Sequence, residues 1–332
     1  MIRKMDVIGS AALLAAVFCQ LSHGQQSAQT NLVINLQNAV EYQADISDPS
    51  QFATKPNVTP SVQPKNFFAV TIIADIVSVN GQPAKGMYIA RSRALVASPA
   101  PSPGGAIADV SRAALREHVF EILTVDGTPV GTIMSLGFTG GSGTPGEPST
   151  DRANLAIVGG TGAFLGARGV IGATGGAGRA ASMAEDPANR RINGGTSITF
   201  NLHLIPMAVP QIVPTAGGPA VVHSSDFKLV SSDNPAAAGE LLSLFATGLG
   251  PTVPEVDPGQ SFPASPLALV NSPVTVTVNG KPAEVLTAVG YPTSVDGYQV
   301  NFRVPANSAK GAATIQVSAA WIASAPVNIA IQ

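Results

Sequence analysis

The chain has 332 residues, of which 45% are hydrophobic and only 11% charged, and its formal net charge is −2. The length allows about two domains, and the lack of a Lys/Arg cluster argues against nucleic acid as a partner. The 34 glycines and 27 prolines favour many short strands joined by tight turns over long helices.

The N-terminus has the pattern of a secretory signal peptide. Arg3 and Lys4 precede an apolar run over residues 7–18, and Ser22-His23-Gly24 supplies the small residues of a cleavage site. We expect cleavage after residue 24, release to the periplasm, cell surface or medium, and no membrane span in the mature chain. The single cysteine, Cys19, lies within this segment, so a mature chain would have no disulfide and no thiolate site.

Residues 25–206 are predicted to form the first domain, an all-β unit of eight strands. Asn80-Gly81 and Asp126-Gly127 are typical hairpin turns, because both residue types tolerate positive φ. Four Gly- or Pro-rich stretches, 41–64, 98–105, 140–149 and 174–191, are predicted loops. The predicted strands are residues 31–37, 67–79, 86–96, 115–125, 132–138, 153–158, 164–173 and 196–205.

A second β-rich domain is predicted over residues 221–332. It follows a stretch with four prolines and no charge, residues 206–219, which we interpret as a linker over about 207–220. Asn279-Gly280 is a further hairpin turn. Short strands at turn-separated spacing favour a small β-sandwich. They are predicted at residues 241–246, 274–278, 283–289, 298–304, 313–317 and 327–331.

The segment IVGGTGAFLGARGV, residues 157–170, has two interpretations. A dinucleotide-binding turn has a similar glycine pattern, but it needs a helix directly after the glycines to bind the pyrophosphate. Three further glycines follow Gly162 within ten residues, and each costs about 1 kcal/mol inside a helix. The sequence therefore predicts two strands joined by a glycine hairpin, and no cofactor.

The same segment carries a resemblance to a known family. Residues 154–169, NLAIVGGTGAFLGARG, resemble the signature of the dirigent and allene oxide cyclase-like barrel superfamily. Residues 80–88 and 119–137 are similar to the hairpins that precede that signature. The resemblance covers about residues 31–206. It implies an eight-stranded antiparallel barrel whose apolar interior can hold a small hydrophobic ligand.

The second domain resembles an uncharacterised immunoglobulin-like C-terminal domain of secreted bacterial proteins. The resemblance rests on the GLGP motif at residues 248–251 and the YQVNFRVP motif at residues 298–305. It implies a β-sandwich over about residues 221–332 that serves as an attachment or spacer module. A component of the cell envelope is the partner that this implies.

Four residues of the first domain are candidates for ligand contact. Arg168 matches the arginine of the family signature and either polarises a carbonyl or carboxylate, or orders the hairpin by an interstrand hydrogen bond. Tyr88, Asp75 and Glu121 fall on predicted strands, where every second side chain points into a barrel. The first strand lacks the His-Asp pair of plant dirigent proteins, which argues against guidance of phenoxy radicals. The three histidines after the signal segment, His118, His203 and His223, are far apart in sequence, so no metal site is predicted.

Three functions remain open at this stage. The preferred hypothesis is a secreted protein whose barrel binds a small apolar ligand. The first alternative is a structural or adhesive envelope protein with a barrel filled by side chains. The second is an enzyme without a cofactor, with a cyclase- or isomerase-type activity in which Arg168 takes part. The sequence leaves oligomerisation open.

Overall fold

The structure is a computed structural model that describes residues 30–45, 67–96, 112–139, 153–175, 178–205, 208–257 and 259–332. The predicted signal peptide, residues 1–24, lies outside the described residues, as does the predicted loop over residues 98–105. The described chain is all-β, and its two 3₁₀ helices, Gly162–Phe164 and Pro187–Asn189, are three residues each.

The first domain is a closed barrel of eight antiparallel strands. Its order is β2-β4-β5-β6-β7-β8-β10-β1, and pairing of β1 with β2 closes the ring. Two short strands, β3 and β9, extend its rims. The strands are β1 (Thr30–Asp45), β2 (Phe67–Val79), β3 (Gln82–Pro83), β4 (Lys85–Val96), β5 (Arg112–Leu123), β6 (Pro129–Thr139), β7 (Ala153–Gly160), β8 (Arg168–Gly175), β9 (Arg179–Ser182) and β10 (Thr196–Ile205).

The first strand is longer than predicted and contains a bulge. The sequence predicts that β1 ends near residue 37 and that residues 41–64 are a loop, but β1 continues to Asp45. Asn38 adopts a positive φ of 54°. The register of β1 shifts between Leu36 and Ala39 against β10, and between Gln37 and Val40 against β2. Leu36 and Ala39 are both part of the buried core. The bulge therefore reverses which residues of β1 face inward, because strict alternation would place them on opposite faces.

The glycine motif forms the hairpin that the sequence predicts. Strands β7 and β8 pair antiparallel, with Ile157 opposite Gly169. The second strand begins at Arg168, not at Phe164 as predicted, because Phe164 ends the 3₁₀ turn and is buried in the barrel core. A Cβ at Gly160 would lie 2.5 Å from the carbonyl oxygens of Phe164 and Thr132. The glycines thus allow close backbone packing around a tight turn.

The predicted loop over residues 174–191 is only partly irregular. Strand β8 continues to Gly175. Strand β9 pairs parallel with residues 40–43 of β1, which follow the residues of β1 that pair with β10. Arg190 and Arg191 then pair with Asp75 on the outer face of β2. This segment covers the outside of the barrel over the second half of β1, where Val40 and Tyr42 are buried.

The second domain is an all-β, sandwich-like unit. Most of its strands form one nearly closed eleven-stranded sheet around a separate core. Part of the predicted linker belongs to it, because Gln211 and Ile212 pair with Thr247 and Ala246. Its strands are β11 (Gln211–Ile212), β12 (Pro214–Thr215), β13 (Gly218–Pro219), β14 (Val221–His223), β15 (Leu241–Thr247), β16 (Thr252–Val253), β17 (Leu269–Val270), β18 (Val274–Val278), β19 (Lys281–Gly290), β20 (Gly297–Arg303), β21 (Gly311–Ala319), β22 (Ile322–Ala323) and β23 (Val327–Ile331).

The second domain packs against one end of the barrel, which we call the proximal end. Ala320 and Ile322, at the β21–β22 hairpin, are part of the barrel core cluster. Trp321 Nε1 donates a hydrogen bond to Gln82 Oε1 at 3.0 Å, and Asn271 Nδ2 donates to the Pro129 carbonyl oxygen at 3.1 Å. The opposite end of the barrel, where β1 ends and β5 begins, is called the distal end.

Substitution of Gly169 tests the backbone packing of the barrel directly. A Cβ there would overlap the carbonyl oxygen of His203 on β10, and the φ of 147° favours glycine. We expect Gly169→Ala to lower the free energy of unfolding by about 1–3 kcal/mol or more, measured by urea denaturation. Gly159→Ala is the matched control, since nothing lies within 4 Å of its Cβ position. Equal stability of the two variants would contradict this hairpin geometry.

Candidate functional site

Polar side chains occupy the distal half of the barrel interior. Residues that pair directly across antiparallel strands share one face of the sheet. Phe120 belongs to the barrel core, so the residues that alternate with it along β5, and their partners on β4, also point inward. The inward-facing pairs are Tyr88–Phe120, Ala90–His118 and Ser92–Arg116.

Tyr88 and His118 form a buried hydrogen-bonded pair. The Tyr88 hydroxyl lies 2.8 Å from His118 Nδ1. Tyr88 is 1% exposed and His118 is 2% exposed. Phe120 and Phe200 pack against Tyr88 with ring centroids 5.0 Å away in each case. The aromatic rings hold both polar groups in fixed positions inside the barrel.

Burial keeps both members of this pair neutral. Desolvation, with a smaller effect of the Arg116 charge, lowers the pKa of His118 to about 3. Desolvation also raises the pKa of Tyr88 above its ordinary value. A neutral imidazole has one donor and one acceptor nitrogen. When Tyr88 donates to Nδ1, the proton of His118 is on Nε2.

Four polar atoms of the distal interior have no hydrogen-bond partner among the described residues. They are Ser92 Oγ, Arg116 Nε, His118 Nε2 and Ser135 Oγ. Ser135 lies directly across from His118 on β6. We call these four residues and Tyr88 the interior polar cluster. A buried polar atom without a partner costs about 1–3 kcal/mol, so four such atoms on three adjacent strands need an explanation.

Glu41 and Gln43 lie at the distal margin of this cluster. The bulge in β1 turns both inward, because they pair with the core residues Ile72 and Val70. Gln43 Nε2 donates to Glu41 Oε1 at 3.0 Å. Unlike Tyr88 and His118, these side chains are only partly buried. Polarity and exposure therefore increase together toward the distal end.

Small residues line part of the interior polar cluster. Ala74, Ala90 and Gly137 pair with cluster residues and Ala173 pairs with Phe200, whereas the bulkier Ile157 and Val70 pair with Ser135 and Ser92. In the proximal half, Phe164, Ile133 and Ile122 are almost fully buried. Small side chains around unpartnered polar atoms are typical of a site that holds a ligand or water.

Of the four residues predicted from the sequence, only Tyr88 points into the interior. Arg168 is exposed, and its Nη1 donates to the carbonyl oxygens of Val158 and Ala167 at 3.0 Å and of Gly166 at 3.3 Å. These are the contacts of a side chain that orders the hairpin, which is the second of the two roles considered for it.

Asp75 and Glu121 lie on the outer face of the barrel. Glu121 is exposed and pairs across the sheet with Met87 and Thr132. Asp75 accepts hydrogen bonds from Arg190, Arg191 and Asn38. Burial opposes ionisation of Asp75, but the bonds from Arg191 and Asn38 outweigh it and lower its pKa. This carboxylate anchors the segment that covers β1.

Sequence reasoning did not identify Ser92, Arg116 and Ser135, and treated His118 only as a metal ligand. A signal was present, since Arg116, His118 and Phe120 alternate along the predicted strand as Tyr88 and Ser92 do on the preceding one. Which face of each strand points inward depends on the barrel register. That register includes the irregular pairing between Ile122 and Leu123.

The three histidines do not converge. His203 lies on the outer face of β10, whereas His223 in the second domain contacts Glu240 Oε1 through Nδ1 at 2.5 Å. Within the described ranges, no group of three or more His, Cys, Asp or Glu residues could hold a metal ion.

Comparisons with protein-family models, with curated proteins and with solved structures found no match to this chain. In the part of the chain that the structure describes, no helix has the length and apolar character needed to cross a membrane.

The depressed pKa of His118 predicts a pH-dependent stability. Protonation of this residue favours the unfolded chain, so its effect on stability is constant above the unfolded pKa of 6.5 and becomes increasingly unfavourable as the pH falls toward 3. Between pH 6.5 and 5 the loss is about 2 kcal/mol. Urea denaturation of the wild type and of His118→Gln at several pH values gives the free energy of unfolding of each. The difference between the two pH profiles is the contribution of His118. Parallel stability profiles would contradict a neutral, buried His118.

Proposed function

We propose that the barrel binds a small, largely apolar ligand in the distal half of its interior. The observation that carries this proposal is the interior polar cluster, whose four unpartnered atoms lie among small, aromatic and aliphatic side chains inside the barrel. Binding sites of this kind combine apolar walls with a few fixed polar groups that orient the ligand. The resemblance of residues 154–169 to the dirigent and allene oxide cyclase-like superfamily supports the same function.

The proposal extends to the setting of the barrel. The signal-peptide pattern of residues 1–24 supports a secreted protein. The resemblance of residues 221–332 to an immunoglobulin-like module supports a role in attachment to the cell envelope, or as a spacer. Because this domain packs against the proximal end, the distal end, with Glu41, Gln43 and Arg116 at its margin, is the proposed entrance.

A fluorescent apolar probe tests whether the interior accepts a ligand. We expect N-phenyl-1-naphthylamine to bind with one site per chain, and Ala90→Leu to weaken binding about tenfold or more by filling the interior beside His118. Ala156→Leu is the matched control, because Ala156 is exposed on the outer face of β7. Should Ala90→Leu fail to fold, the smaller change Ser92→Val tests the same point.

The structural alternative predicts the opposite behaviour. If side chains fill the whole interior, the wild type binds no probe, and Ala90→Leu destabilises the barrel by about 1–3 kcal/mol through overpacking. Probe binding that is equal in the wild type, Ala90→Leu and Ser92→Val would place the probe on the surface and also contradict the proposal.

A further inference from the structure

We infer that the interior polar cluster binds the carbonyl oxygen of an uncharged, otherwise apolar molecule such as a ketone or an ester. This inference rests on the proposed function and specifies its ligand class. It follows from three observations: the unpartnered donors of the cluster, the charged groups near it, and the apolar side chains beside it.

Every unpartnered atom of the cluster can act as a donor. Arg116 Nε is an N–H donor with no acceptor capacity, and the hydroxyls of Ser92 and Ser135 rotate to donate. If Tyr88 donates to His118 Nδ1, Nε2 is a fourth donor. The other tautomer leaves the Tyr88 hydroxyl proton and the Nε2 lone pair both unused, which is the less favourable state. An acceptor-bearing ligand therefore complements the cluster, and an amine does not.

Fixed charges of both signs lie near the cluster. Arg116 and Glu41 act on Tyr88 with opposite sign. His118 and Tyr88 are neutral, and of the two charged groups only Arg116 also acts on His118. A carboxylate ligand would bring a second negative charge near Glu41, and burial of that charge among apolar side chains adds to the cost. A neutral acceptor avoids that cost.

A carbonyl oxygen matches the arrangement of donors. It has two lone pairs and no proton of its own, so it can accept from His118 Nε2 and from one serine hydroxyl. His118 and Ser135 are directly opposite each other on β5 and β6, which places their side chains next to each other on the interior face. Phe120 and Phe200 provide apolar surface beside them. The remainder of the ligand is therefore apolar.

A matched series of ten-carbon probes tests the inference. Displacement of N-phenyl-1-naphthylamine at pH 7.5 is measured for 2-decanone, decanoic acid and decylamine. We expect 2-decanone to bind about tenfold more tightly than the acid or the amine. Tighter binding of the acid, or equal binding of all three, would overturn the inference and leave the proposed function intact. No binding of the fluorescent probe by the wild type would overturn the proposed function itself.

A labelled carbonyl reports the contact directly. The ¹³C resonance of 2-decanone labelled at its carbonyl carbon should move downfield on binding, relative to its position in an apolar solvent, because hydrogen bonds polarise the C=O group. His118→Phe should move it back upfield and weaken binding about tenfold, whereas His118→Gln, which keeps a donor, should restore part of both. Arg93→Gln, on the outer face of β4, is the control. An unchanged resonance in His118→Phe would contradict the assigned contact.

Discussion

The bulge in β1 is the constraint on which the rest of the barrel depends. Asn38 is the extra residue of the bulge. Strand β1 pairs with β10 as far as Ala39, with β9 from Val40 onward, and with β2 along most of its length. Pairing of β1 with β10 and with β2 closes the ring, whereas pairing with β9 extends its rim. The same shift turns Glu41 and Gln43 inward, where a regular strand would present Val40 and Tyr42. One backbone irregularity, in the strand that closes the barrel, thus gives the distal end a polar margin.

The two halves of the barrel interior differ in the polarity of their side chains. The proximal half is closed by Phe164 from the glycine hairpin and by the docked β21–β22 hairpin, and its contacts are apolar. Such packing stabilises the barrel. The distal half leaves hydrogen-bonding capacity unused on Ser92, Arg116, His118 and Ser135. Apolar packing in the proximal half offsets the cost of the unpartnered groups in the distal half.

The sequence predicts the elements of the fold far better than its site. The Asn80-Gly81 turn locates the end of β2, and the predicted bounds of β2 and β10 agree with the structure to the residue, because local propensity and tertiary packing agree there. Residues 41–45 of β1, beyond the bulge, and the short strand β9 are predicted as loop, since their pairing depends on distant partners. Inward direction depends on register as well, and a shift of one residue exchanges the two faces of a strand. For this reason Asp75 was a candidate and Arg116 was not.

The docked hairpin of the second domain explains an unfavourable turn. Ala320 and Trp321 both adopt positive φ, at 48° and 64°, where most tight hairpins use Asn or Gly. Each such residue costs about 1–2 kcal/mol. The cost is offset at the proximal end, where Ala320 is buried against the barrel core and Trp321 bonds Gln82. Without these contacts at the proximal end, nothing would offset the cost of the two positive φ angles. The contacts of this hairpin with the barrel therefore compensate for the strain of its own turn, which ties the second domain to the proximal end.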